Sequence, residues 1–131
     1  MTPELTLTIP DEHWISANDR RHWRANATRR AALRALAADV ARTADLPRFM
    51  QVHVGVFVGY PTRRRADPTN AADTLKPCLD GLTDAGVWED DDSEHVVAVT
   101  FMRDLKCSPK GHHTLRLVLT DQCLPFGMED A

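Results

Sequence analysis

The chain reads as a single α+β domain, and three features predict that class. Val52, Val54, Val56 and Val58 alternate with strict period two, the mark of a strand with one valine face. Apolar residues at helical spacing flank it, Leu33, Leu36, Ala37, Val40 and Ala41 before it and Leu75, Cys78, Leu79 and Leu82 after it. Two β-rich runs, HVVAVTFMR and HHTLRLVLT, follow. The order β-α-β-α-β-β predicts a mixed or antiparallel four-stranded sheet with the helices packed on one face.

The first strand is TLTIP, where Leu5, Leu7 and Ile9 alternate and Pro10 stops the run. A loop follows to about Arg20. The first helix is expected from Arg21 to about Thr43, rich in alanine, with Arg30 and Arg34 on a different face from its apolar stripe. Pro47 breaks the chain ahead of the valine strand. The second helix is expected to start near Asp73 or Thr74, either of which suits an N-cap, because Pro77 is tolerated only in a first turn. Gly86 suits its C-terminal cap. Between the last two strands, S-P-K-G predicts a turn with Pro109 in second position. No repeat, low-complexity tract or linker divides residues 1–131, and the tail 122–131 is expected to fray or to dock on a partner.

With 43% hydrophobic and 27% charged residues among 131, the chain is too apolar for disorder and long enough for one compact core. The opening MTPELTLTIP carries an acid and no apolar run of signal-peptide length, and nowhere do ~18 apolar residues follow one another. A cytoplasmic protein without a membrane span is expected. Cys78, Cys107 and Cys123 are odd in number and far apart, which suggests neither a disulfide framework nor a thiolate zinc site.

The net charge of −3 hides a segregated distribution. Six arginines and no acid lie between Arg20 and Arg34, three more at Arg63 to Arg65, and six acids with no base between Asp84 and Glu94. Exposed charges act over about 8 Å at physiological salt, so a locally basic face can hold a polyanion on an acidic domain. A solvated helix face is the plainer reading of the same arginines.

Asp67 and Asn70 precede the second helix and Asp90, Asp91 and Asp92 follow it, which makes the helix a spacer between two sets of oxygen ligands. If its flanking strands are neighbours, both loops can share one rim, and carboxylates gathered there repel unless a cation binds. Hard oxygens select magnesium, with manganese as a substitute. Such a cluster beside arginines suits phosphodiester hydrolysis: the arginines hold the backbone and Lys76 stabilises charge on the phosphate. The competing reading is an exposed acidic loop with a Lys76–Asp80 helix pair worth about 0.3–0.5 kcal/mol.

The residues themselves carry a resemblance. R-R-A-D-P-T-N, then L-K-P-C-L-D-G-L-T-D-A-G-V, then D-D-D resembles the signature of the RusA-like Holliday junction resolvases, approximately R-x-D-x-D-N, K-x-x-x-D-x-L, A-G and D-D. It covers about Arg64 to Asp92, and N-D-R-R-H-W-R is similar to an arginine-rich segment of phage and actinobacterial members. The resemblance implies a homodimeric, magnesium-dependent endonuclease that nicks branched DNA such as a four-way junction, with no small-molecule cofactor. It implies catalytic Asp67, Lys76 and Asp91, metal ligands Asp67, Asp90 and Asp91, and DNA contacts from Arg20, Arg24, Arg64, Arg65 and Asn70; Asp80 matches the helix aspartate. Two departures stand out. Thr69 occupies the place of a second aspartate, and the spacing from Asn70 to Lys76 is longer than in the shorter family form. Asp73, in that insertion, is open to two roles, missing carboxylate or helix cap.

A relative that lost a ligand at Thr69 and binds branched DNA without cutting is the alternative. A protein-binding acidic loop at Asp90 to Glu94 is a third class. His112, His113 and Cys107 make a poor zinc group, because adjacent strand residues point to opposite faces. His53 belongs opposite the valines. Trp14, Trp23 and Trp88 suit the core or a dimer interface better than base stacking.

Overall fold

The computed structural model describes residues 2–16 and 23–122. Among them the expected order holds: β1 (Glu4–Pro10), α1 (Trp23–Thr43), β2 (Val52–Gly59), α2 (Ala72–Asp84), β3 (Val96–Arg103) and β4 (His112–Asp121). Short 3₁₀ turns lie at Asp11–His13 and Pro68–Ala71. The strands form one mixed sheet in the order β1-β4-β2-β3, antiparallel except where β2 meets β3. That parallel pair follows from its connection, since parallel neighbours need a crossover such as a helix.

One sheet face makes the core. Leu5, Leu7, Ile9, the four valines of β2, Leu115, Leu117 and Leu119 are buried together with Leu33, Ala37 and Ala41 of α1 and Leu75, Cys78, Leu79 and Leu82 of α2. Each buried Val or Leu contributes about 1.5–3 kcal/mol of transfer free energy. The opposite face, with Thr6, Thr8, His53, Thr100 and Arg116, is partly or fully exposed.

One irregularity sets the phase of β3. Val52 pairs with Val96 and His53 with Ala98, so Val97 is an extra, bulged residue. Beyond it Val99, Phe101 and Arg103 pair with Val54, Val56 and Val58 and share their side of the sheet.

The helices approach closely at Gly81. A Cβ there would overlap the Arg34 carbonyl oxygen and lie 2.9 Å from Ala37 Cβ and 3.0 Å from Ala38 N, so the absence of a side chain permits the contact. At the end of α2, Gly86 takes φ 81°; its N–H donates to Thr83 O at 3.0 Å and that of Val87 to Leu82 O at 3.1 Å. This is a Schellman cap, as the glycine suggested.

The start of α2 corrects the expectation. Helical geometry begins at Ala72, behind the Pro68–Ala71 turn capped by Asp67, and neither Asp73 nor Thr74 supplies a side-chain cap. Pro77 therefore lies inside the helix and not in its first turn. Thr74 is buried, and its hydroxyl accepts from Ile15 N–H at 2.9 Å and donates to the Ile15 carbonyl at 2.6 Å. It ties α2 to the segment after β1. The last turn also shifts by one: His112 N–H donates to Pro109 O at 3.1 Å with Gly111 at φ 78°, so Pro109 is first in that turn.

Among the described residues no helix is long and apolar enough to cross a membrane. Of the expected tail, Gln122 donates its N–H to Gln51 O at 3.0 Å, and 123–131 lie outside the described residues.

Candidate functional site on the second helix

Parallel β2 and β3 put the end of one and the start of the other at opposite ends of the sheet, so topology alone does not give the loops around α2 a common rim. The acidic loop makes up the difference by running back beside the helix. Lys76, on the exposed side of α2, lies with its Nζ 3.2 Å from Asp80 Oδ1 and also contacts Asp91 Oδ2. A backbone turn steadies the loop behind it, with His95 N–H and Val96 N–H both donating to Asp92 O, at 3.1 and 2.9 Å.

The electrostatics are unequal. The Asp91 side chain is only 13% exposed. Burial by itself pushes its carboxyl up, but the hydrogen bond from Lys76 and the Lys76 charge hold it below the usual carboxylate range. Lys76 is raised, first by its hydrogen bond to Asp91. It stays an ammonium at neutral pH, a hydrogen-bond donor and not a base. One ammonium between two carboxylates leaves negative charge over.

The other expected ligands serve their own turns. Asp67 Oδ1 accepts from Thr69 N–H at 3.1 Å and from Thr69 Oγ1 at 2.8 Å. Thr69, where the resemblance expects an acid, thus supplies two donors and makes Asp67 a local cap. Asn70 N–H donates to the Asp67 carbonyl at 3.0 Å, and Asp90 Oδ1 accepts from Asp91 N–H at 2.8 Å. Asp73 sits in the first turn of α2. Among the described residues no three of His, Cys, Asp and Glu stand together as a metal-holding group. Asp80 and Asp91 supply hard carboxylate oxygens, the ligand type magnesium takes in ones or twos, and here Lys76 contacts both. No protein-family model matches the chain, and no curated protein does.

The arginines divide by role. Arg24 and Arg30 are exposed on α1, whereas Arg29 is buried and donates from Nη1 to the Trp14 carbonyl at 3.3 Å. Arg34 grips Asp84 with two bonds of 2.6 and 2.8 Å, an arrangement that holds the Asp84 carboxyl low and the guanidinium high. Arg20 lies outside the described residues. Arg63, Arg64 and Arg65 are exposed on the loop before the Pro68–Ala71 turn. Sequence reasoning missed Arg103, which donates to the carbonyls of Arg64 and Thr62 at 2.7 and 2.8 Å.

Of the tryptophans, Trp88 is in the core, its Nε1 donating to Thr83 Oγ1 at 2.7 Å. Trp14 stacks on His113 at 4.3 Å, and His113 Nδ1 lies 2.7 Å from Asp11 Oδ1. His112 Nδ1 instead donates to the Lys110 carbonyl at 2.9 Å. His53 Nε2 lies 2.9 Å from Thr100 Oγ1 on the open sheet face. The side chain of Trp23 lies outside the described residues.

Proposed function

We propose that the protein is a metal-dependent endonuclease of the RusA-like kind, cytoplasmic and dimeric, which cuts branched DNA such as a four-way junction. The observation that carries this reading is the contact of Lys76 with Asp91 across a separation of 15 residues, because these are two of the three catalytic positions implied by the sequence motif. Arg64 and Arg65, with Arg24 and Arg20 from the first basic segment and Asn70 beside Asp67, hold the phosphate backbone. Asp91 is the central ligand, and Lys76 faces the charge that develops on the phosphate. Magnesium or manganese, when bound, polarises that phosphate and lowers the pKa of the attacking water. A two-fold dimer matches the two equivalent strands of a junction.

A second reading is favoured by Asp67 and Asp90. Both complete the implied ligand set, yet their oxygens serve local caps, and Thr69 stands where an acid belongs. A module that binds branched DNA without cutting would keep the arginines and dispense with the ligands. Incubation with a labelled four-way junction, with and without Mg²⁺, separates the two. Paired incisions only with metal support the nuclease; a metal-independent mobility shift without products supports the binding module. Neither outcome would leave the acidic loop as a protein-docking surface. A monomer that retains full activity at micromolar concentration in light scattering would overturn the dimer.

A further inference from the structure

The basic loop after β2 has an anchor outside the motif. Arg103, the last residue of β3, bonds the Arg64 carbonyl through Nη1 and the Thr62 carbonyl through Nη2. Its guanidinium carbon lies 5.0 Å from the centroid of the Tyr60 ring, and the Tyr60 hydroxyl donates to the Asp67 carbonyl at 3.3 Å. Residues 61–66 are thus a closed excursion, joined at its base through Tyr60 and Asp67 and held in its middle by Arg103. The base is fixed in turn: Asp104 N–H donates to Val58 O at 2.9 Å and Ser108 N–H to Tyr60 O at 3.0 Å. A planar fork can hold two carbonyls at once, whereas a lysine is a single point charge.

This excursion exposes Arg63, Arg64 and Arg65, and Arg63 lines a depression together with Tyr60, Arg103 and Leu105. Arg103 and Arg63 line the same depression, and the two carbonyls and the tyrosine face offset the placing of one cation beside the other. A loop that only connects β2 to α2 needs none of these cations. A loop that must present them to a polyanion gains by being ordered beforehand, because the ordering cost is then absent from binding.

We propose that Arg103 is a positioning residue that preorganises Arg63 to Arg65 to grip a nucleic-acid phosphate backbone. The identity of the polyanion rests on the reading above; the clamp does not. Arg103→Lys keeps the charge and removes the fork. In the free protein, backbone NMR order parameters of 62–66 should fall in this variant while those of β2 are unchanged. Affinity for a labelled four-way junction without metal should fall about tenfold with the same salt slope, since no positive charge is lost. That loss should vanish in an Arg63→Ala/Arg64→Ala/Arg65→Ala background, because Arg103 acts through those side chains. Unchanged order parameters overturn the clamp, and a loss that persists in the triple background makes Arg103 a direct phosphate contact and overturns the positioning role. If the wild-type protein binds no junction, the polyanion assignment and the nuclease reading fall together, and the order parameters alone decide the clamp.

Discussion

Two cation–carboxylate contacts are anchored on α2, and they are built differently. Arg34 of α1 meets Asp84 in a two-pronged pair with both side chains substantially exposed. Each carboxylate oxygen has a donor, and the pair is neutral. Lys76 offers one ammonium to Asp80 and Asp91, and Asp91 is largely shielded from water. A contact that only staples two elements needs one partner per charge. Lys76 already holds the Asp91 carboxyl low, and the Arg34 charge also reaches Asp80 and Asp91, so what separates a candidate site from a staple here is the second carboxylate and the shielding of Asp91.

The largest expected effect breaks the Lys76 contact. Under the nuclease reading, Asp91→Asn keeps the side-chain size and should lower cleavage by about 10² to 10³, the scale of one lost electrostatic contribution to a transition state. Junction binding should persist, because the arginines supply it. Equal rates for variant and wild type at limiting Mg²⁺ would make Lys76–Asp91 a second staple.

Gly81→Ala attacks the Arg34 contact from beneath. The new methyl must displace the Arg34 carbonyl, and overpacking of this kind costs about 1–3 kcal/mol, against the ~1 kcal/mol that alanine gains over glycine in a helix. Denaturant unfolding should show a net loss of stability. Cleavage per folded molecule should hold, since Lys76 and Asp91 both belong to α2 and its own loop. A more stable variant would contradict the close approach of the helices.

Asp84→Asn should have a smaller effect and one confined to stability. The Arg34 hydrogen bond is the main cause of the low Asp84 carboxyl, so the stabilisation is present above 3.8 and fades as pH falls through the lower folded value. The variant should be less stable than wild type at neutral pH, converge with it in acid, and cut at the same rate. A cutting defect would move Asp84 from staple to site.

The smallest effect belongs to Asp92→Asn. The hydrogen bond that Asp92 accepts is the first cause that lifts the His95 imidazole above 6.5, with Nδ1 at 2.6 Å from Oδ1. A raised folded value means that the contribution is complete below 6.5 and lost as pH climbs through the folded value. In the variant, His95 should titrate closer to 6.5 by NMR, and cutting should stay near wild type. A defect as deep as that of Asp91→Asn would mean that the acidic run acts through bulk charge.

Elements with local periodicity were legible in the sequence. The valines of β2 and the stripes of both helices dictate which side is buried, and Gly86 marks its cap through a backbone angle that other residues resist. The burial of Arg29 was legible too, had the stripe been followed backwards: positions 29, 33, 37 and 41 lie four apart on one helix face. The start of α2 was not, because a 3₁₀ turn built on Asp67 and Thr69 leaves no helical period to detect. Nor was the meeting of Lys76 with Asp91, which depends on how a loop folds back. Arg103 escaped for a different reason: its side of the sheet depends on pairing, not on composition.

Val96 and Arg103 stand an odd number of positions apart yet face the same way, which a regular strand forbids. The extra residue at Val97 changes the parity. Removing it would restore an even ladder without changing the partners of any residue from Ala98 onward, so the bulge is a place where the chain can absorb a change of length. A one-residue change on the side of the acidic loop can therefore be taken up at Val97 while Ala98 to Arg103, and with them the arginine clamp, keep their partners.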